Sequence, residues 1–272
     1  MKFVKDSRPH PAHDLTPDIT NLGPSLELIH HSQLPISAHD PKRACWAAHL
    51  DPRDSLQVLL QGAAPTILQS DGDDFREDVK GWVSLRENPG AYFQDPLRSL
   101  MPGGADYTAL KIAGPHQKEN LRQEIITFAS ARGNAPCVES VVANFEELFM
   151  NAMLDAPREA RNPSPSTGSI FFLAADERRL GIACQDPHGS LNILKLLNRM
   201  SEVYEQGAGA VINLRGPGGA GLGCTIMMEN SALICFGVRP DQSTVVSCLV
   251  HRHLSYRRRA EIKKSLHLVT LE

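Results

Sequence analysis

The run Gly216-Pro217-Gly218-Gly219-Ala220-Gly221-Leu222-Gly223 constrains this chain more than any other feature. Glycine lets backbone N–H groups approach a ligand's oxygen atoms closely. The apolar segment CTIMMEN that follows reads as a short helix, whose N-terminus adds favourable partial charge for an anion such as phosphate. The run also satisfies G-x-G-x-x-G after the apolar segment AVINL, the fingerprint of a dinucleotide-binding fold. Too few residues follow Gly223 to supply the rest of that fold. The acidic residue best placed for a ribose, Asp241, lies farther on than the usual spacing of about 20 residues.

The 272 residues suffice for one ordinary domain and a smaller one, and 42% hydrophobic with 22% charged residues is enough to bury a core. A formal net charge of −3 argues for neither nucleic acid nor an acidic ligand. The start MKFVKDSRPH has no apolar run behind it, and no stretch approaches the roughly 18 apolar residues of a membrane span, so the expectation is a cytoplasmic protein without a membrane partner. The six cysteines are scattered and never form C-x-x-C, which fits buried reduced thiols better than a zinc or redox site.

Residues 1–42 are proline-rich and read as an extended or disordered tail, and five of the eleven histidines (His10, His13, His30, His31, His39) fall there. No cysteine or regular carboxylate accompanies them, so solvated histidines are favoured over a metal site. Residues 43–104 read as a small α/β region of degenerate receiver-like type, with helices through SLQVLLQG and FREDVKGWVSL and a strand through PTILQ. From 105 to 251 the expected order is strand TALKIA, a helix from Gln117 to Ala131, and a second helix from Pro136 to Pro157. A hairpin of SIFFLA and LGIACQD follows, then a helix from Leu191 to Tyr204 with Leu194, Leu197 and Met200 on its apolar face. AVINL, the glycine run, CTIMMEN and strands ALICFGV and TVVSCLV complete it. Grouped helices and mostly antiparallel strands predict an α+β two-layer sandwich. Residues 252–272 are basic, with six Lys and Arg against Glu261 in HRHLSYRRRAEIKKSL. They read as a solvated terminal helix, with contact to an acidic partner or nucleic acid as the alternative.

Two further features carry chemistry. On the second helix Ser140, Asn144, Glu147, Asn151 and Asp155 step by three or four and share one face, with apolar residues on both flanks. Such a polar seam is either a solvated stripe or a buried one satisfied by an ion and phosphates. Asp186-Pro187-His188-Gly189, at a strand end, is either an ordinary turn or a carboxylate placed to accept from an amino group.

In their order and spacing these motifs resemble those of the GHKL superfamily of histidine-kinase, gyrase and MutL-type ATPases. Glu147-x-x-x-Asn151-Ala152 resembles the family's N box, Asp186 with Gly189 its first glycine box, and Gly216–Gly223 its second, while Ser243-Thr244-Val245 sits where the family has a late threonine. The strand–helix–helix opening and GLGCTIMMEN followed by two strands are most similar to bacterial anti-sigma-factor serine/threonine kinases. The resemblance implies a Bergerat-type ATP-binding fold over 105–251, with ATP and Mg²⁺ as cofactors. It implies that Asn151 coordinates Mg²⁺ and that Glu147 orients or deprotonates the nucleophile. It also implies that Asp186 accepts from the adenine amino group with Thr244 assisting, and that the loop of Gly216, Gly218, Gly219, Gly221, Leu222 and Gly223 forms a phosphate-holding lid.

This sequence departs from the family in reading D-P-H-G, with His188 where a glycine is expected, and in carrying Asp155 one turn beyond Asn151. The expected function is that of a bacterial signalling protein: an ATP-dependent kinase whose partner is a sigma factor, an anti-anti-sigma protein or a response regulator, with a homodimer compatible. The alternative is a nucleotide-dependent binding module without catalysis. A full histidine kinase fits least, because no dimerising hairpin with a phosphoacceptor precedes the domain.

Overall fold

SIFFLAA and RLGIACQD are apolar at nearly every position, the pattern of strands covered on both faces. In the computed structural model, which describes residues 27–30, 42–47, 50–62, 64–70, 72–103, 106–159, 168–207 and 220–272, they form β5 (Ser169–Ala175) and β6 (Arg179–Asp186), paired antiparallel. Phe171, Leu173 and Ile182 point to one face and Phe172, Ala174 and Ala183 to the other, so a core lies on each side.

One face carries α1 (Pro52–Leu60), α5 (Lys118–Ser130), α6 (Ala135–Met150), α8 (Ile193–Gln206) and α9 (Ala220–Asn230). The other carries α2 (Gly72–Glu87), α3 (Pro89–Tyr92) and α4 (Pro96–Leu100), which bring Leu85, Tyr92, Phe93, Leu97 and Leu100 onto the sheet. The architecture is a mixed α+β fold on one large sheet. It has three layers where two are predicted, because 72–101 supply a second apolar surface. The buried Tyr92 hydroxyl fixes that layer, donating to the Cys235 carbonyl at 3.1 Å and sharing a 2.9 Å hydrogen bond with Ser247.

The sheet has nine strands among the described residues, in the order β1-β2-β3-β9-β7-β8-β6-β5-β4. Beyond β5 and β6 these are β1 (Glu27–His30), β2 (Arg43–Trp46), β3 (Thr66–Leu68), β4 (Asp106–Ile112), β7 (Leu233–Arg239), β8 (Ser243–His251) and β9 (Ser265–Thr270). From β4 to β7 every pairing is antiparallel, while β1, β2 and β3 run parallel to one another.

Where a solvated helix is predicted at the C-terminus, the chain makes a 3-10 turn (Tyr256–Glu261) and then enters the sheet as β9, parallel to β7 and antiparallel to β3. Leu266 packs into one core and Val269 into the other, the two-sided burial of a central strand. No break in the sheet separates 43–104 from the rest. Glu27–His30, inside the stretch read as a tail, adds an edge strand, and the His30 ring packs edge-on against Trp46; the rest of that stretch apart from Lys42 lies outside the described residues, as does AVINL.

A buried polar cluster ties the layers together. Asp78 of α2 pairs with Arg179 of β6 at 2.5 Å, each side chain 3% exposed, and accepts from Ser70 and Ser265. Gln69 links the region before α1 to β9, accepting from the Leu50 amide and donating to Ser55 and the Lys264 carbonyl. The six cysteines are buried and free. No helix among the described residues is long and apolar enough to cross a membrane.

Candidate functional site

Asn134 caps α6, accepting from the Cys137 amide, and Pro136 occupies its first turn, so the helix begins where the sequence predicts. Its polar seam divides in two. Ser140 and Asn144 face the end of α9: Ser140 donates to Asn230 at 3.4 Å, and the fully buried Asn144 donates to Ser231 at 3.0 Å. These two residues dock a helix. Farther along, α6 does not run on unchanged to Pro157: Asn151–Asp155 form a π turn before a last short helix, α7 (Ala156–Glu159). Single π turns inside α-helices often mark functional positions.

Asn151 and Asp155 both line a cavity whose other walls include Asp186 at the end of β6, Thr244 on β8 and Cys224 on α9. Apolar residues fill in the rest: Leu148 and Ala152 from α6, Leu196 from α8, Phe236 from β7 and Val246 from β8. Three stretches far apart in sequence thus open onto one space. Among the described lining residues are two carboxylates and no lysine or arginine.

Asp186 is 6% exposed and pairs across the sheet with Thr244. Burial pushes its carboxyl up to about 6, and the donated His188 amide, at 2.9 Å, opposes the rise. Thr244 faces this carboxyl, yet its buried hydroxyl makes no hydrogen bond of ordinary geometry with a described residue. A buried hydroxyl without a partner costs free energy unless a ligand or water satisfies it.

Gly189 has φ of 60° and accepts from the Asp241 amide. A Cβ there would collide with the backbone of Arg239, so this glycine closes the Asp186 turn onto the β7–β8 hairpin. His188 is not among the described residues lining the cavity.

Glu147 lies on the turn of α6 before Asn151, half-buried and beside α9. Its carboxyl is raised by burial and by the charges of Glu146 and Asp155, and lowered by Lys118. Of the glycine run, Gly216, Gly218 and Gly219 lie outside the described residues. The helix starts at Ala220, earlier than CTIMMEN, so Gly221, Leu222 and Gly223 are helical. Gly223 faces Glu147, and a Cβ on it would overlap the Glu147 carboxylate.

Several cavity residues escape a motif reading but follow from element periods. Cys184 and Val246 lie two residues from Asp186 and Thr244 on the same strand faces, while Leu148 lies one helical turn before Asn151. Ser190 and Leu191, which also line the cavity, carry no such signal. Leu194, assigned to the apolar face of α8, is instead 61% exposed; Leu196, Leu197, Met200 and Val203 form that face.

The oxygen-bearing side chains on the described wall are those of Asn151, Asp155, Asp186, Ser190 and Thr244, and among the described residues no group of three or more His, Cys, Asp or Glu is placed to hold a metal ion. No protein-family model matches the chain, and no curated protein matches it.

Proposed function

We propose that this chain is an ATP-binding regulatory protein of bacterial signalling, with its nucleotide in the cavity between α6, β6, β8 and α9. The carrying observation is the convergence of Asn151, Asp186 and Thr244 on one space. The opening β4-α5-α6 and the closing α9-β7-β8 support a Bergerat-type fold for this part of the chain. In this reading Asp186 accepts from the adenine amino group, Thr244 assists, and the apolar walls of Leu148, Leu196 and Phe236 take the base. Asn151 would hold Mg²⁺ through its side-chain oxygen, and the ion would supply neutralising charge at the phosphates.

The leading reading is a serine/threonine kinase of anti-sigma type acting on a regulatory protein. Glu147, whose carboxyl binds its proton more tightly than an exposed glutamate does, takes the proton from a partner's hydroxyl. That oxygen then bonds to the γ-phosphorus and ADP leaves. A second reading, a nucleotide-dependent binding module without catalysis, is supported by a specific observation. Glu147 is not among the described residues lining the cavity but abuts Gly223.

Calorimetric titration of Mg-ATP into the wild type and Asp186→Asn tests the site; equal affinity in both removes it. Radiolabelled ATP with sigma-factor, anti-anti-sigma and response-regulator partners then separates the readings. Label transfer that disappears in Glu147→Ala selects the kinase, and tight binding without transfer selects the module.

A further inference from the structure

We infer that Asp155 is a second protein ligand of the divalent cation, so that Asn151 and Asp155 hold it together across the π turn. This rests on the cavity being a nucleotide site and names how that site takes its metal. The two residues are i and i+4 on a turn closed by the Ala156 amide donating to the Asn151 carbonyl, and both side chains line the cavity. Neither side chain has a hydrogen bond or ion pair with another described residue.

A second observation lies on another element. Thr244, 4% exposed on β8, lines the same space, and its hydroxyl faces the Asp186 carboxyl without a hydrogen bond of ordinary geometry to a described residue.

Charge supplies the reason for a cation. The described wall carries Asp155 and Asp186 and no basic residue, and Glu147 lies close enough to feel the Asp155 charge. These carboxylates oppose an entering polyphosphate. A divalent ion between Asp155 and the phosphates reverses the sign of that interaction, and carboxylate with amide oxygen is a donor pair that Mg²⁺ and Mn²⁺ accept. Asp155 thus opposes the phosphates without metal and favours them with it.

Two measurements test this, one without any nucleotide. Mn²⁺ titration of the full chain, followed by electron paramagnetic resonance, should show at least tenfold weaker binding in Asp155→Asn than in the wild type. Asn151→Asp, which adds ligand charge, should bind Mn²⁺ more tightly. Unchanged Mn²⁺ binding in both variants overturns the inference. Calorimetry with ATP should show opposite effects of Asp155→Asn: tighter binding without Mg²⁺, weaker binding with it. Tighter binding in both conditions means that Asp155 only repels phosphate, and overturns the inference. A wild type that binds Mn²⁺ through Asp155 but no ATP retains the metal site and removes the nucleotide reading instead.

Discussion

The carboxylate of Glu147 occupies the space that a side chain on residue 223 would need, so α6 and α9 meet through an acid on one helix and a glycine on the other. Glycine inside a helix costs about 1 kcal/mol relative to alanine. At this position the missing methyl keeps Glu147 where it is. Gly223→Ala should therefore leave the melting temperature unchanged or raise it, because the colliding atoms end a flexible side chain that swings aside. Label transfer to a partner should fall at least tenfold, towards the level of Glu147→Ala. Paired thermal melts and single-turnover assays check this; full activity in Gly223→Ala would mean that the position of Glu147 against α9 is irrelevant.

Asp186 should set stability and affinity against each other. Its carboxyl titrates near 6 in the folded chain, against about 3.9 for an unperturbed aspartate, because burial disfavours the charge. A raised acid contributes stability that is full below the unfolded value and is lost as pH rises through the folded one. Between about pH 4 and 6 the folded protein should thus lose up to roughly 2–3 kcal/mol relative to a chain without this group. Asp186→Asn should be more stable than the wild type at pH 8 by about 1–2 kcal/mol, part of the difference going to a hydrogen-bond donor it introduces into the turn, and should show no advantage at pH 4. Nucleotide affinity in the wild type should fall as pH drops through 6, since protonation removes the charged acceptor. Urea denaturation and calorimetry across this pH range give both numbers.

The sequence makes one half of the molecule far more legible than the other. From β4 to β8 the apolar periods, the Pro136 helix start and the polar turn after β5 all point the same way, and the described elements lie where they are expected apart from the break in α6 at Asn151. Asn151, Asp186 and Thr244 meet because helix and strand periods fix which face each occupies. What the sequence hides is long-range. SLHLVT has no turn signal linking it to PTIL, so the insertion of β9 between β3 and β7 cannot be read locally. The π turn is equally silent, since a single extra backbone residue leaves the apolar pattern of α6 almost unchanged. Ser140 and Asn144 belong to the same seam as Asn151, and only the position of α9 separates residues that dock a helix from residues that face the cavity.

The Asp78–Arg179 pair predicts that residues 105–251 will not stand alone. Excision removes β9 from between β3 and β7 and uncovers Phe172, Leu233 and Leu249 on the face packed by α3 and α4. It also takes from Arg179, 3% exposed, its closer carboxylate, Asp78, and leaves only Asp176 at 3.8 Å. Breaking a buried ion pair by removing one partner costs about 3–5 kcal/mol. Within the full chain, Asp78→Ala should lose about that much in urea denaturation, and Asp78→Ala with Arg179→Met should recover part of it. The 105–251 fragment should aggregate or show no cooperative transition. A cooperative melt in that fragment would show that it folds without α2 to α4 and β9.

Lys264 holds the far end of the helix that leads out of the glycine run. Its ammonium, on a residue 8% exposed, donates to the Met228 carbonyl at 2.9 Å and the Glu229 carbonyl at 3.3 Å, the last acceptors of α9, where a positive charge also meets the negative end of the helix dipole. The Lys264 carbonyl meanwhile accepts from Gln69, so α9 is anchored to the layer containing β3. Lys264→Met keeps the apolar stem and removes the cap. It should cost about 1–3 kcal/mol, a charged hydrogen bond in a buried setting. Hydrogen exchange should quicken in 224–230 while β6 and β8 stay protected, and Mg-ATP affinity should fall severalfold with the cavity walls intact. Equal exchange in α9 of both proteins would place the anchor elsewhere, with Ser140 and Asn144 of α6 and Tyr204 of α8 among the contacts that hold its end.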